Sequence, residues 1–247
     1  MEDLSVYCPS DLLYTQEKFT RYQPGDYHPV SLGDTFKDGR YEVHHKLGWG
    51  GFSTVWLVYD SIQEQWVSLK IMTGDRAQNF HELDNLQHLA AHAQGSQGTL
   101  ASNYIVQLLD TFVHQGPNGS HQCLVFELLG PSVDQVLRDY YESDESLDPE
   151  TTLRMSEQLL KAVQLIHRAG LGHGDISGTN IAFSASQLSK ASKEDLFEIL
   201  GAPESEPLTR VDGKPLDEGL PKHLIEAASW IDWVDEDDED LRIVDFG

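Results

Sequence analysis

Apolar and polar side chains alternate over residues 41–47, with Tyr41, Val43, His45 and Leu47 on one side of an extended chain. A glycine cluster follows. Val55, Trp56, Leu57, Val58 and Tyr59 are then dense in β-formers and predict a second strand. A turn over 60–65 leads to a third strand over 66–72, where Val67, Leu69 and Ile71 face one way and Ser68 and Lys70 the other. The period then changes: Phe80, Leu83, Leu86 and Leu89 form a helical stripe that runs out near Gly95. Residues 105–112 and 123–128 predict two more strands, and 133–141 a short helix. A longer helix has both ends marked. Asp148 caps it, Pro149 fits its first turn and Gly170 lies just past its end. Its expected buried face is Leu153, Leu159, Leu160, Val163 and Ile166.

The flanking segments are less regular. Residues 1–40 are turn-rich (Pro24-Gly25, Gly33-Asp34, Asp38-Gly39) and predict an extended leader along the first strands. Residues 184–240 carry Pro, Gly, Ser and charge without a long periodic segment. They close on Asp235, Glu236, Asp237, Asp238, Glu239 and Asp240, a run expected to be solvated and mobile. Trp230 and Trp233 beside it either pack locally or dock elsewhere. A strand over 241–244 then delivers Asp245. The class is α+β, with strands first and helices after.

The chain has 247 residues, enough for one or two domains. Its net charge of −24 argues against direct nucleic-acid binding, which needs clustered Lys and Arg, and leaves basic partners open. No apolar run is long enough to span a bilayer, and residues 1–4 lack the basic, apolar start of a secretory signal. Two cysteines, Cys8 and Cys123, make no disulfide framework, so cytoplasm or nucleus is expected.

Four clusters carry possible chemistry. Leu47, Gly48, Trp49, Gly50, Gly51, Phe52, Ser53, Thr54 and Val55 form a glycine loop flanked by strands on both sides. Glycines let backbone N–H groups approach phosphate oxygens, and a strand on each side separates this loop from one that opens a helix. Lys70 on the third strand can reach phosphates if a carboxylate positions it, and Glu82 is the candidate, sharing a helical face with Leu86 and Leu89. In the stretch from His173 to Asn180, Asp175 can accept a proton from an attacking hydroxyl and Asn180 can offer an amide oxygen to Mg2+. Asp245, Phe246 and Gly247 follow a strand. Each cluster alone also fits a bland role: a glycine-rich hairpin, a solvated Lys or Glu, a polar turn. Their order is what a kinase requires.

These residues resemble the eukaryotic protein kinases, and more narrowly the SR-protein kinases, with wording closest to fungal members. The specific stretches are Tyr27-His28-Pro29-Val30, Gly39-Arg40-Tyr41, the run from Lys46 to Leu57, and the run from Leu124 to Gly130. The resemblance implies a bilobal kinase-like fold: leader 1–40, N-lobe 41–128, first part of the C-lobe 129–183, acidic spacer 184–240, and the strand with Asp-Phe-Gly 241–247. It implies ATP and Mg2+ as cofactors, with Asp175, Lys70, Glu82 and Asn180 catalytic and Asn180 with Asp245 on the metal. Phe126 would guard the adenine pocket, and Glu127 and Leu129 would offer it backbone hydrogen bonds. Substrates would be serines of basic Arg/Ser-rich proteins, as in control of mRNA splicing. The family continues past Gly247 with an activation segment and more helices, so a fragment, a truncated gene product or a chain needing a partner is expected, with part of the long helix left uncovered.

Departures from the family shape the expectation. Ser53 in place of a third glycine is shared with the SR-protein kinases. Ser68 stands where an alanine is usual beside the adenine, a small change. Gly174 replaces an arginine that grips a phosphorylated loop, which argues against that form of control. Ser177 replaces a lysine facing the transferred phosphate; losing such a donor costs on the order of 3 kcal/mol, about a hundredfold in rate. A nucleotide-binding pseudokinase or scaffold is therefore one alternative. A small-molecule kinase of the aminoglycoside or choline type, whose catalytic loop His173-Gly174-Asp175 with Asn180 also resembles, is another.

Overall fold

The computed structural model describes residues 4–74, 81–95, 103–231, 233 and 238–247. In chain order its elements are α1 (Leu12–Thr15), β1 (Thr35–Phe36), β2 (Tyr41–Gly50), β3 (Ser53–Asp60), β4 (Gln65–Met72), α2 (His81–Gly95), β5 (Leu108–Gly116) and β6 (Gly119–Glu127). Then follow β7 (Leu129–Ser132), α3 (Val133–Glu142), α4 (Pro149–Arg168), β8 (Ile181–Ser184), α5 (Lys193–Leu200), β9 (Ser205–Pro207), β10 (His223–Ile225) and β11 (Leu241–Ile243). They fall into two compact units. Among the described residues no helix is long and apolar enough to cross a membrane.

The first unit comprises Met1–Asn79, Leu109–Phe126 and Lys190–Ile231. Its sheet has the order β1-β2-β3-β4-β6-β5. Alternation puts Tyr41, Val43, Trp56, Val58, Val67, Leu69, Ile71, Cys123 and Val125 into one core with Val30 and Phe36. Ile225 of β10 joins that core. Two register shifts in β2, between Val43 and His45 and between Lys46 and Gly48, mark bulges that increase local twist.

Residues 190–231, inside the spacer expected over 184–240, carry short elements too brief for a long periodic segment to announce. Ser192 caps α5 by accepting from the Asp195 N–H at 3.1 Å, β9 and β10 pair antiparallel, and Leu196 and Leu200 are fully buried. A satellite core joins Leu208 and Leu224 of this segment to Leu4, Leu13, Phe19, Tyr22 and Tyr27 of the leader. Lys46 locks the arrangement. Its buried ammonium pairs with Glu17 and donates to the Ile225 carbonyl at 3.1 Å, and its own carbonyl accepts from the Ala228 N–H at 2.8 Å. Tyr22 also donates to Glu17.

The second unit comprises Phe80–Leu108, Glu127–Ser189 and Asp232–Gly247. Asp148 caps α4 as expected, accepting from Glu150 N–H at 2.7 Å. Its buried face overlaps the predicted one in part: Ile166 is buried and Leu159 packs partly buried against the core as expected, Thr151, Met155, Gln158, Ala162 and Leu165 are buried as well, and Leu153 and Leu160 are instead 71% and 70% exposed. Gln158 explains the difference. It donates to Asp240 Oδ1 and accepts from the Leu241 N–H at 2.8 Å, so a polar side chain occupies the inward position.

The described end of the acidic run also departs from expectation. Glu239 is buried and accepts from the hydroxyls of Ser184 and Ser186, which removes it from solvent. Trp233 packs locally. Its ring lies 6.5 Å from that of Phe183, and a side chain at Gly130 would meet it at 2.8 Å. Residues 235–237 lie outside the described residues, as does Phe80 of the predicted stripe.

Candidate functional site

In the first unit the glycine loop is a β-hairpin. Gly48 pairs with Val55, Trp49 with Thr54 and Gly50 with Ser53, leaving Gly51 and Phe52 at the tip. No neighbouring atom lies within 4 Å of where a Cβ would stand at Gly48, Gly50 or Gly51, so the backbone here is open to a ligand. Trp49 and Phe52 are exposed, whereas Ser53 and Thr54 are buried. Lys70 lies directly opposite Val55 across β3 and β4, so both half-buried side chains share one face of the sheet. Phe126 ends the β6 stretch of this unit and is buried.

The turn of the loop is held from the leader. Tyr27 Oη donates to the Gly50 carbonyl at 2.6 Å, and Arg21 Nη1 donates to the Gly51 carbonyl. Thr73 N–H donates to the Phe52 carbonyl at 2.9 Å. The sequence marks Tyr27 only as part of the family-like stretch and gives no sign of Arg21, because both act across a long loop.

In the second unit, α4 ends at Ala169, Gly170 follows with φ 76°, and the chain enters the loop 173–180. Asn180 Nδ2 donates at 2.9 Å to the backbone carbonyl of Asp175 and at 2.9 Å to its Oδ2. The amide nitrogen is thereby spent, and the amide oxygen is the remaining donor atom of Asn180. The backbone of Asn180 accepts from the Val244 N–H at 3.0 Å, and a His173 ring nitrogen lies 2.9 Å from the Val244 carbonyl. The loop is therefore strapped to the residue preceding Asp245.

Asp245 is exposed and sits at φ 64°, a region that costs a non-glycine residue energy and clusters at functional sites. Phe246 is buried, packed edge-on against His173 at 4.8 Å. Its carbonyl accepts from Asn85 Nδ2 at 2.8 Å. Glu82, one turn earlier on α2, is buried with Leu86 and Leu89, and its Cβ lies 3.8 Å from a Cβ built at Gly247. Asn85 was not among the predicted residues; its position three after Glu82 on the same face was the available signal.

Glu127 belongs to this unit. Its backbone N–H donates to Gln107 O at 3.2 Å, and its carboxylate accepts from the Gln107 N–H at 2.9 Å and pairs with Arg242 at 3.1 Å. Leu129 starts β7 opposite Ser184. Ser177 Oγ lies 2.7 Å from Thr179 Oγ1. Thus Asp175, Asn180 and the approach to Asp245 are brought together within one unit, as is Glu82 with Gly247. Lys70 and Glu82 belong to different units.

Asn180 and Asp245 offer an amide oxygen and a carboxylate. Both are hard oxygen donors of the kind Mg2+ takes along with water and phosphate, so the donor set fits that ion. Among the described residues no group of three His, Cys, Asp or Glu side chains could by itself hold a metal.

The protein kinase domain family profile matches residues 41–192. Protein kinase dsk1 of Schizosaccharomyces pombe is 36% identical over 173 residues, covering 70% of this chain and 31% of that protein. Serine/threonine-protein kinase SKY1 of Saccharomyces cerevisiae is 36% identical over 170 residues, covering 67% and 23%. SRSF protein kinase 3 of Homo sapiens is 35% identical over 168 residues, covering 67% and 29%. The matched stretch is thus less than a third of each relative's length. A solved crystal structure of a kinase domain superposes with a TM-score of 0.56 at 18% identity, over 89% of this chain and 54% of that one. That likeness is one of fold.

Proposed function

The chain belongs to the protein kinase domain family, and from that premise we propose that it binds ATP with Mg2+ and transfers the γ-phosphate to serine in basic Arg/Ser-rich proteins. The observation that carries the proposal is the double clasp of Asn180 on Asp175, strapped through Val244 to the strand that delivers Asp245. The substrate class rests on the similarity to a relative named SRSF protein kinase 3 and on a net charge of −24, which favours basic partners.

The roles follow from chemistry. The amides of residues 48–55 cover the phosphates and Lys70 holds the α- and β-phosphates, while Glu82 is the carboxylate that α2 offers. Phe126 borders the adenine, with backbone groups of Glu127 and Leu129 beside it. Asn180 and Asp245 would hold Mg2+, which would supply positive charge against the phosphates. One Asp175 oxygen accepts from Asn180, and the other is left to orient the substrate hydroxyl and take its proton. The serine oxygen forms its bond to γ-phosphorus as the bond to the β–γ bridging oxygen breaks and ADP leaves.

Ser177 supports a second reading, a nucleotide-binding pseudokinase, because its hydroxyl meets Thr179 and brings no positive charge to the phosphate. Thermal stabilisation by Mg-ATP, lost in Lys70→Met, tests binding; phosphate transfer to an Arg/Ser-repeat peptide tests catalysis. Binding without transfer selects the pseudokinase. Absence of both overturns the proposal.

A further inference from the structure

The leader reaches the tip of the glycine loop with two side chains that are themselves rigidly built. Arg21 is fixed by Asp26, which accepts from Nε at 2.8 Å and lies 2.6 Å from Nη2. Its guanidinium stacks over the Tyr27 ring at 4.5 Å, and Nη1 donates to Tyr27 Oη at 3.2 Å. Tyr27 is 3% exposed, and burial pushes its hydroxyl pKa up, so it stays protonated as a donor. The backbone around them is tied down as well. Asn118 donates to the Tyr27 carbonyl at 2.7 Å, Gly25 N–H to the Asn118 carbonyl at 2.6 Å, and Gly74 N–H to the Asp26 carbonyl at 3.1 Å.

What this support holds is specific. Three successive carbonyls of the loop turn, those of Gly50, Gly51 and Phe52, accept from Tyr27, Arg21 and Thr73. A trans peptide unit is planar, so its N–H points opposite to its C=O. Fixing the Gly50 and Gly51 carbonyls therefore fixes the next two amides, of Gly51 and Phe52, facing away from the leader. Glycine has no side chain to restrain these torsions, so the turn needs an outside restraint to keep one orientation. Hydrogen bonding at each carbonyl also polarises its peptide unit and makes the opposite N–H a better donor.

We propose that Arg21 and Tyr27 are positioning residues that pre-set the Gly51 and Phe52 amides to receive the terminal phosphates of a nucleoside triphosphate. The nucleotide itself rests on the function proposed above; the hold on the loop does not.

The experiment compares the unaltered chain with Tyr27→Phe, which deletes one hydroxyl, and with Arg21→Lys, which keeps the charge and loses the planar fork. Nitrogen-15 relaxation gives order parameters for Gly50 to Ser53, and titration gives affinities for Mg-ATP and for adenosine. Each variant is expected to lower the order parameters at Gly51 and Phe52. Each is also expected to weaken Mg-ATP binding about three- to tenfold, the worth of one hydrogen bond, with adenosine affinity unchanged. A purely structural role would weaken both ligands together and overturns the proposal. So does an unaltered Mg-ATP affinity in both variants. An unaltered chain that binds no Mg-ATP instead overturns the nucleotide reading, and the order parameters then still decide whether the leader holds the loop.

Discussion

Asn180 and Asp175 are joined twice through one amide nitrogen, at 2.9 Å to the backbone carbonyl and at 2.9 Å to Oδ2. One side chain thereby fixes both the path of the loop and the rotamer of the carboxylate. Asn180→Asp keeps the size and an oxygen but removes both donated bonds and sets two carboxylates against each other. Phosphate transfer is expected to fall by about a hundredfold or more, the scale of losing an oriented general base. Steady-state kinetics should show the loss in kcat as well as in the KM for ATP, with the thermal midpoint changed far less because Asp175 is exposed and Asn180 only half-buried.

That pair was legible in the sequence because each of its neighbours obeys a local rule: Asp148 caps α4, Gly170 ends it, and the motif follows at once. The glycine hairpin with Lys70 opposite Val55 was legible for the same reason, through strand alternation on both sides. Residues 190–231 were not. The strands β9 and β10 are 3 residues each, too short for alternation to register. β9 itself is exposed, and Leu208 and Leu224 are buried only because leader residues far earlier in the chain pack on them. The inward face of α4 was legible at Leu159 and Ile166 but not at Gln158, which is polar and is held inward by its bonds to Asp240 and Leu241.

Ser177→Lys restores a cation at the position where the resembling family carries one. Transfer to an Arg/Ser-repeat peptide is expected to rise about a hundredfold, the worth of one pre-placed donor. Mg-ATP affinity should change far less, since the gain belongs to the transition state. Single-turnover rates check this. Unchanged rates would mean that Ser177 with its Thr179 partner is not what limits transfer.

Lys46 and Glu17 form a buried pair with side chains 1% and 6% exposed. Burial pushes the Lys46 pKa down while Glu17 pulls it back, so the charge depends on its partner. Glu17→Gln strands the ammonium and is expected to cost about 3–5 kcal/mol. Pairing it with Lys46→Met removes both charges and should recover most of that loss. Urea unfolding of the two single variants and the double variant measures the coupling. Proteolysis within 201–231 should speed up in Glu17→Gln and slow only in part in the double variant, because Lys46→Met also deletes the donor to the Ile225 carbonyl and leaves the Ala228 N–H to Lys46 carbonyl bond.

His28 of the leader packs edge-on against His114 of β5 at 4.6 Å and lies tilted against His121 of β6 at 5.0 Å. Burial first, then the facing His114 and His121, lowers the His28 pKa to about 3. His114 and His121 are lowered too, chiefly by burial; Asp34 opposes this at His114, and the Met72 carbonyl, 2.9 Å from His121 Nδ1, opposes it there. A side chain at Gly116 would stand 2.3 Å from His28 Nδ1, so the cluster has no room to open around an added proton. The sign follows from the depressed folded-state values. In the unfolded chain His28 takes its proton near pH 6.5, while in the folded protein it stays neutral, so its contribution to stability is lost as pH falls from about 6.5 toward 3. His28→Gln is neutral throughout. Its loss of folding free energy between pH 7 and pH 4.5 is expected to be smaller than that of the unaltered chain by about 2 kcal/mol. Urea titrations at the two pH values measure this difference directly and cancel the carboxylates common to both chains. An equal loss in both chains would mean that His28 is protonated in the folded protein and that its neighbours have made room for it.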